Sequence, residues 1–406
     1  MKPLTIGVGV DSITLDIIIT LQNLNDLNRI QDIYDGELSK NLETAYKLLS
    51  EDVGGEISID GKREDAEKIL SIAKDLDARL NFRLGGNAAQ KTVALDRLGV
   101  QALPLTGISK EVLSKTKEEQ NIFEDINTKY SLDLNRRKPA SYVFQSVGTE
   151  RYILADGKGR RIEQLRDYLS DLPKIVGSIS NDLGGIDALS LVGWHVLFGN
   201  RFTQDDLEFV ESIIGELKEE TDAILFTDAG GFEDFKDAGK DRLFQIYSLF
   251  DMLSMNEIEA SNIATKCNYE TEHHFEDLAC VYESLESVST AWMHTKTYQA
   301  SVSSSFSKET LSKTQDFAAL AGLYRVETGG YPTPQDIAGL KNERNISKEG
   351  LKTVEKIEDN YSNFLKDEFA VTPCYEPKNF ISTTGSGDVS GAAYLYSILK
   401  SLRTNS

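Results

Sequence analysis

Two glycine-bearing strings at opposite ends of the chain hold the residue types that phosphate chemistry uses. Near the C-terminus, Ser382-Thr383-Thr384-Gly385-Ser386-Gly387-Asp388 runs into an apolar stretch from Val389 to Leu399. Glycines allow a tight backbone with bare N–H groups, and apolar residues at helical spacing behind them predict a loop that opens a buried helix. Such a helix start draws anions through its unpaired N–H groups and the positive end of its dipole, and an aspartate at its mouth is placed to take a proton from an attacking hydroxyl. That is phosphoryl transfer, with Gly385, Ser386 and Gly387 as the anion hole and Asp388 as the base. Alone, the string reads equally well as a turn with Asp388 as an inert helix cap. The second string, Gly85-Gly86-Asn87 leading into a helical pattern up to Gly99, tips the balance toward chemistry.

The pair of strings resembles the ribokinase-like, or PfkB-type, sugar kinases. In that superfamily the Gly-Gly-Asn stretch lines the sugar site and the late Gly-x-Gly-Asp supplies the anion hole and base. The resemblance implies sugar contacts from Gly86, Asn87 and Asp11, the last at the end of the first predicted strand; on its own Asp11 reads equally as a solvated turn aspartate. A third string, Asn256-Glu257-Ile258-Glu259, is either an acidic helix start or a site for hydrated magnesium. It is similar to the Asn-x-x-Glu motif of the superfamily, which implies Asn256 on the nucleotide and Glu259, with Glu257, on Mg2+.

The order of Asn256 to Glu259, then His294 within Ala291 to Tyr298, then Gly387-Asp388-Val389-Ser390 is similar to one branch, the ADP-dependent glucokinases and phosphofructokinases. The resemblance places His294 and Thr384 near the nucleotide, although a lone strand histidine is more often a satisfied structural residue. The branch usually carries His-x-Glu at an earlier strand end. Here Phe226-Thr227-Asp228 stands there, with Asp228 as the substitute carboxylate for metal, and the donor is left between ADP, which is favoured, and ATP. Lys158, Arg160 and Arg161 form the tightest basic group near the inferred lid, able to hold the phosphate of a sugar phosphate or simply to be solvated. A catalytically silent sugar-binding regulator is the reading from outside the enzymes.

These residues need a scaffold that gathers strand ends. Short apolar runs at 188–193 and 223–227 alternate with helical stretches at 203–218 and 234–248, the rhythm of a parallel sheet covered on both faces, and ligands of such sheets sit at the carboxyl ends of the strands. The run 140–147 and its partner 151–155 predict a hairpin, and 13–20 and 54–61 predict further strands that do not alternate with helices. They imply a small β-rich lid, segments 13–62 and 126–164, interleaved with a three-layer α/β core of 1–12, 63–125 and 165–406. Within the core, 63–80 reads as an amphipathic helix and 109–128 as a charged, solvated one.

The 406 residues carry 44 basic and 65 acidic side chains, a formal charge of −21, which repels nucleic acid and anionic lipid at long range. No window is apolar enough to cross a bilayer, so no membrane partner is expected. Three cysteines, Cys267, Cys280 and Cys374, without close pairing suit a reducing cytoplasm and neither a disulfide framework nor a zinc site. The expected partners are a small sugar or sugar phosphate and a nucleotide.

Overall fold

The structure is a computed structural model that describes residues 2–10, 14–25, 27, 37–51, 55–59, 68–71, 73–74, 78–113, 116, 123–134, 140–146, 151–156, 159–198, 202–232, 235–265, 273–361, 368–381 and 383–405. Its main sheet has eight strands: β1 (Thr5–Val10), β5 (Gln101–Leu105), β10 (Ala188–Val192), β11 (Ile224–Asp228), β12 (Met252–Asn256), β13 (Thr290–His294), β14 (Tyr298–Ser303) and β15 (Glu368–Pro373). Their order is β15-β14-β13-β12-β11-β10-β1-β5. The pairs from β5 through β13 are parallel, whereas β14 and β15 join antiparallel at one edge.

Side chains alternate between the faces of these strands, as a pleated strand requires. On β13, Ala291 and Met293 enter one buried cluster and Trp292 the other. One cluster takes in the helices Asn87–Arg97, Lys308–Thr328 and Ser386–Asn405; the other takes in Leu172–Leu183, Gln204–Glu220, Asp237–Tyr247 and His274–Ser284. Helix, sheet, helix: the core has the three layers expected. The C-terminal helix is fixed at its far end, where Arg403 grips Asp187 through both carboxylate oxygens at 2.8 and 2.9 Å while Asp187 also accepts from Thr5 N at 2.7 Å. A paired, multiply bonded carboxylate of this kind holds a geometry better than a lone surface pair does. The start of this helix, where Asp388 sits, is therefore carried on an element locked to the origin of β1.

A second sheet has five strands in the order β3 (Gly55–Ile59), β9 (Arg151–Asp156), β8 (Ala140–Ser146), β2 (Thr14–Leu21), β4 (Arg79–Gly85). The hairpin foreseen at 140–155 is β8 and β9, antiparallel with Ser141 opposite Ala155. On β2, Leu15, Ile17, Ile19 and Leu21 lie in a buried cluster, and Asp16 and Ile18 on the opposite face are buried as well, so the strand is covered on both faces along most of its length.

Two readings of local structure need correction. The stretch 63–80 is not a helix throughout, because Arg79–Gly85 is β4, the edge partner of β2. The segment assigned to the core thus contributes a strand to the small sheet and delivers Gly85 and Gly86 from it. Nor is 109–128 one solvated helix: a single turn, Lys110–Leu113, buries Val112, and a separate turn from residue 123 buries Phe123 and Ile126. The stretch is bracketed by the two-stranded parallel pairing of β6 (Gly107–Ile108) with β7 (Leu132–Asp133). The charge density of that stretch masks three widely spaced apolar anchors.

Candidate active site

The late glycine loop opens a helix, as its residue types dictate. Gly385 has φ +73°, a left-handed conformation that costs a side-chain-bearing residue about 1 kcal/mol or more, and the helix Ser386–Asn405 follows directly. Ser386 closes the turn, its N–H donating to Thr383 O at 3.1 Å and its hydroxyl to the same oxygen at 2.8 Å. Asp388 stands half-buried in the first turn. N–H groups of a first turn have no acceptor within the helix and point toward the solvent end, so carboxylate and anion-attracting donors share one small region.

The carboxyl ends of three adjacent parallel strands face this helix start. Asp228 ends β11, Asn256 ends β12 and His294 ends β13, with Asp228 beside Ser254 and Asn256 beside His294 in register. Asn256 caps the helix Glu257–Ala264 by accepting from Ile258 N at 2.9 Å and Glu259 N at 2.8 Å, and Glu259 returns a carboxylate oxygen to Asn256 N at 2.7 Å. This reciprocal capping box makes the acidic string a real helix terminus and holds both side chains in place. His294 packs its ring 5.0 Å from that of Trp292, and a methyl group on Gly387 would meet His294 Cε1 at 3.2 Å.

The two glycine motifs are joined by a buried polar strut that the sequence reading missed. Gly86 turns the chain at φ +87° into the helix Asn87–Arg97. One turn in, Gln90 donates to Leu84 O and accepts at Oε1 from Tyr331 OH at 2.5 Å and Arg325 NH2 at 3.1 Å. Arg325 is 3 % exposed and stacks on the Tyr331 ring at 4.4 Å. It also donates from Nε to Thr384 O at 3.0 Å and from NH1 to Gly329 O. Its guanidinium, charged at any working pH, has only carbonyl and amide acceptors and no carboxylate partner among the described residues. A fixed positive charge therefore lies directly behind the loop at Thr384 and Gly385.

A second buried cation follows Gln90 in sequence. Lys91 reaches Asp228 Oδ2 at 2.5 Å. Residues 88 to 95 of the helix Asn87–Arg97 are buried without a break, and polar side chains such as Gln90 and Lys91 inside a helix buried on every side need a reason. Asp16 was likewise read only as part of a strand pattern, yet it is 9 % exposed and so close to Gly85 that a side chain there would collide with its carboxylate.

Of the other expected residues, Asp11 and Lys158 lie outside the described residues, as do the side chains of Arg160 and Arg161, which fall in the first turn of the helix Gly159–Ser170. Immediately before Asp11, Val10 is fully buried at φ +87°. A β-branched residue there stores of order 1–3 kcal/mol of strain, which persists where surrounding structure demands it. Among the described residues no group of three or more His, Cys, Asp or Glu side chains converges as a metal cage. Asn256, Glu257 and Glu259 suit instead a magnesium ion that keeps several waters and shares the phosphates of a nucleotide. Asp228 Oδ2 is engaged by Lys91 at 2.5 Å.

No family model and no curated protein matches the sequence. Solved structures do match in shape over nearly the whole chain. An ADP-dependent kinase solved with fructose 6-phosphate and ADPβS superposes with a TM-score of 0.74 at 17% identity, covering 98% of this chain and 94% of its own. The chain has the fold of this solved structure. A phosphofructokinase from Pyrococcus horikoshii OT3, solved with AMP, matches at TM-score 0.69 and 17% identity with both chains fully covered. The last common ancestor of ADP-dependent phosphofructokinases from Methanosarcinales matches at 0.69 and 15%, covering 98% of this chain and 94% of its own. The shared fold spans core and small sheet together, so the resemblance seen in short motifs extends to the scaffold that carries them.

Proposed function

We propose that this protein is a kinase that transfers the terminal phosphoryl group of a nucleotide, ADP ahead of ATP, to a hydroxyl of a sugar or sugar phosphate. The observation that carries this reading is Asp388 in the first turn of a buried helix, directly after the left-handed Gly385, at the carboxyl ends of the parallel strands. Asp388 takes the proton of the acceptor hydroxyl as its oxygen attacks phosphorus, and N–H groups of Gly385, Ser386 and Gly387 receive charge on the transferring group. Such transfer rests on positioning and charge neutralisation more than on covalent chemistry. The two cations behind the loop add to the helix dipole in an otherwise acidic protein. Gly86, Asn87 and Asp11 bind the sugar, Thr384, Asn256 and His294 the nucleotide, and Lys158, Arg160 and Arg161 the phosphate of a phosphorylated acceptor. Mg2+, held through Glu259 and Glu257, supplies neutralisation of the nucleotide's phosphates.

The ADP preference draws support from fold relatives described with ADPβS or AMP. The deciding experiment is a matrix of ADP and ATP against free and phosphorylated sugars at equal free magnesium, with sugar product and nucleotide product both measured. The proposal expects AMP to accumulate with one sugar or sugar phosphate. Turnover with ATP alone would reassign the donor; a sugar that shifts the melting temperature without any product would point to the silent binder.

A further inference from the structure

Lys91 occupies a position that is costly for an ammonium. It is 1 % exposed, its Nζ lies 2.5 Å from Asp228 Oδ2 and 4.8 Å from the centre of the Phe226 ring, and a methyl group on Gly391 would stand 2.7 Å from that nitrogen. The contact with Asp228 is an ion pair by distance, but Nζ meets no partner with hydrogen-bond geometry among the described residues. Burying a charge pair costs several kcal/mol of desolvation, and apolar residues of the same volume commonly serve stability as well or better. Packing alone therefore does not account for it.

Its place in the fold offers an account. Gly387 and Gly391 are four residues apart on one face of the helix Ser386–Asn405. His294 abuts the first and Lys91 the second, while Asp228, at the end of the neighbouring strand β11, acts electrostatically on His294 together with Lys91. A bare carboxylate at this point would repel an incoming phosphate. Held by Lys91, it carries no net charge outward, and the helix start keeps its positive potential.

We infer that Lys91 is a positioning residue for phosphoryl transfer: a protein-borne cation behind the phosphate loop that, by holding Asp228, removes this carboxylate from the ligands available to magnesium. The inference rests on the proposed kinase reading, and its test is arranged so that the two fail separately. Lys91→Met, Asp228→Asn and the double variant Lys91→Met/Asp228→Leu are compared with the wild type by thermal unfolding, by calorimetric titration of Mg2+ into protein with ADP, and by kcat and KM.

Asp228→Asn should leave the half-saturating magnesium within about threefold of wild type, since a carboxylate that is not a ligand is not missed by the ion. Lys91→Met, which leaves the Asp228 carboxylate bare beside the loop, should lower kcat at least about tenfold, whereas the double variant, with no buried charge left, should melt within a few degrees of wild type and keep a kcat within about threefold of it, because the net charge facing the phosphates is again zero. A larger rise in half-saturating magnesium for Asp228→Asn would make Asp228 a metal ligand and overturn the inference. So would a kcat below about one-tenth of wild type in the double variant, because neutralising Asp228 would then not be what Lys91 supplies. Should Lys91→Met fail to fold, the double variant carries the test. If the wild type transfers no phosphoryl group at all, the kinase reading falls, while melting and magnesium titration still decide whether Lys91 owns Asp228.

Discussion

At neutral pH His294 is an uncharged imidazole. The residue is half-buried, but its ring packs on Trp292 and Gly387, and those surroundings set its protonation. Desolvation pulls its pKa from 6.5 to about 4, with Asp228 opposing the fall and Lys91 adding to it. Because the folded value lies below the unfolded one, the unfolded chain takes the proton first; the stability present above 6.5 is lost as pH falls toward about 4. His294→Gln should therefore lose less melting temperature than wild type between about pH 7.5 and about pH 5. An equal loss in both would place the acid sensitivity elsewhere. Glu259→Gln is expected to leave the apo fold intact and raise the magnesium concentration for half-maximal rate, since an amide holds a hydrated cation less well than a carboxylate. An unchanged requirement would leave the acidic string as a helix start and nothing more. Residues in glycine motifs were legible because glycine, asparagine and aspartate declare a turn and its chemistry locally. Gln90, Lys91 and Arg325 were not, because their importance comes from burial and from partners hundreds of positions away, which no local pattern encodes.

Among the elements, helix starts do most of the positioning. Asn256→Ala removes the acceptor for two N–H groups and should cost about 1 kcal/mol of stability, seen as a lower midpoint in denaturant without a change in slope. Gly385→Ala combines a left-handed backbone with a methyl 2.8 Å from Gln90 Oε1, so it should disturb the strut to Arg325 as well as the loop. The expected result is a drop in kcat larger than the drop in stability alone would give, checked by measuring both on the purified variant; activity that tracks the folded fraction would contradict it. Alternating strands and helices made the parallel sheet readable from sequence, and the 140–155 hairpin announced itself by its β-branched runs and central turn. The strand Arg79–Gly85 did not, since its sequence mixes charged and apolar residues without β-branching and only its pairing with β2 makes it a strand. The segment 109–128 failed for the opposite reason: its few buried apolar residues are spaced too widely to show against the charge.

At the scale of the whole molecule, the proposed function asks a chain with net charge −21 to bind phosphate-bearing ligands, and the fully buried cations Lys91 and Arg325 offset that charge locally. Arg325 and Lys91 lie on the buried side of the late glycine loop and its helix, and the basic group at Lys158, Arg160 and Arg161 follows the strand Arg151–Asp156 in sequence. If the acceptor is a sugar phosphate, Arg160→Ala with Arg161→Ala should raise its KM and spare that of the nucleotide, because a phosphate held by arginine contributes uniform binding. Equal effects on both substrates, or none, would remove this group from the site. The measurement that bears most directly on the central claim is turnover of Asp388→Asn on the best nucleotide and sugar pair, with nucleotide affinity determined alongside. An amide keeps the shape and loses the proton acceptor, so turnover should fall by about 10²–10⁴-fold while the nucleotide still binds; a folded variant that turns over at the wild-type rate would contradict the account.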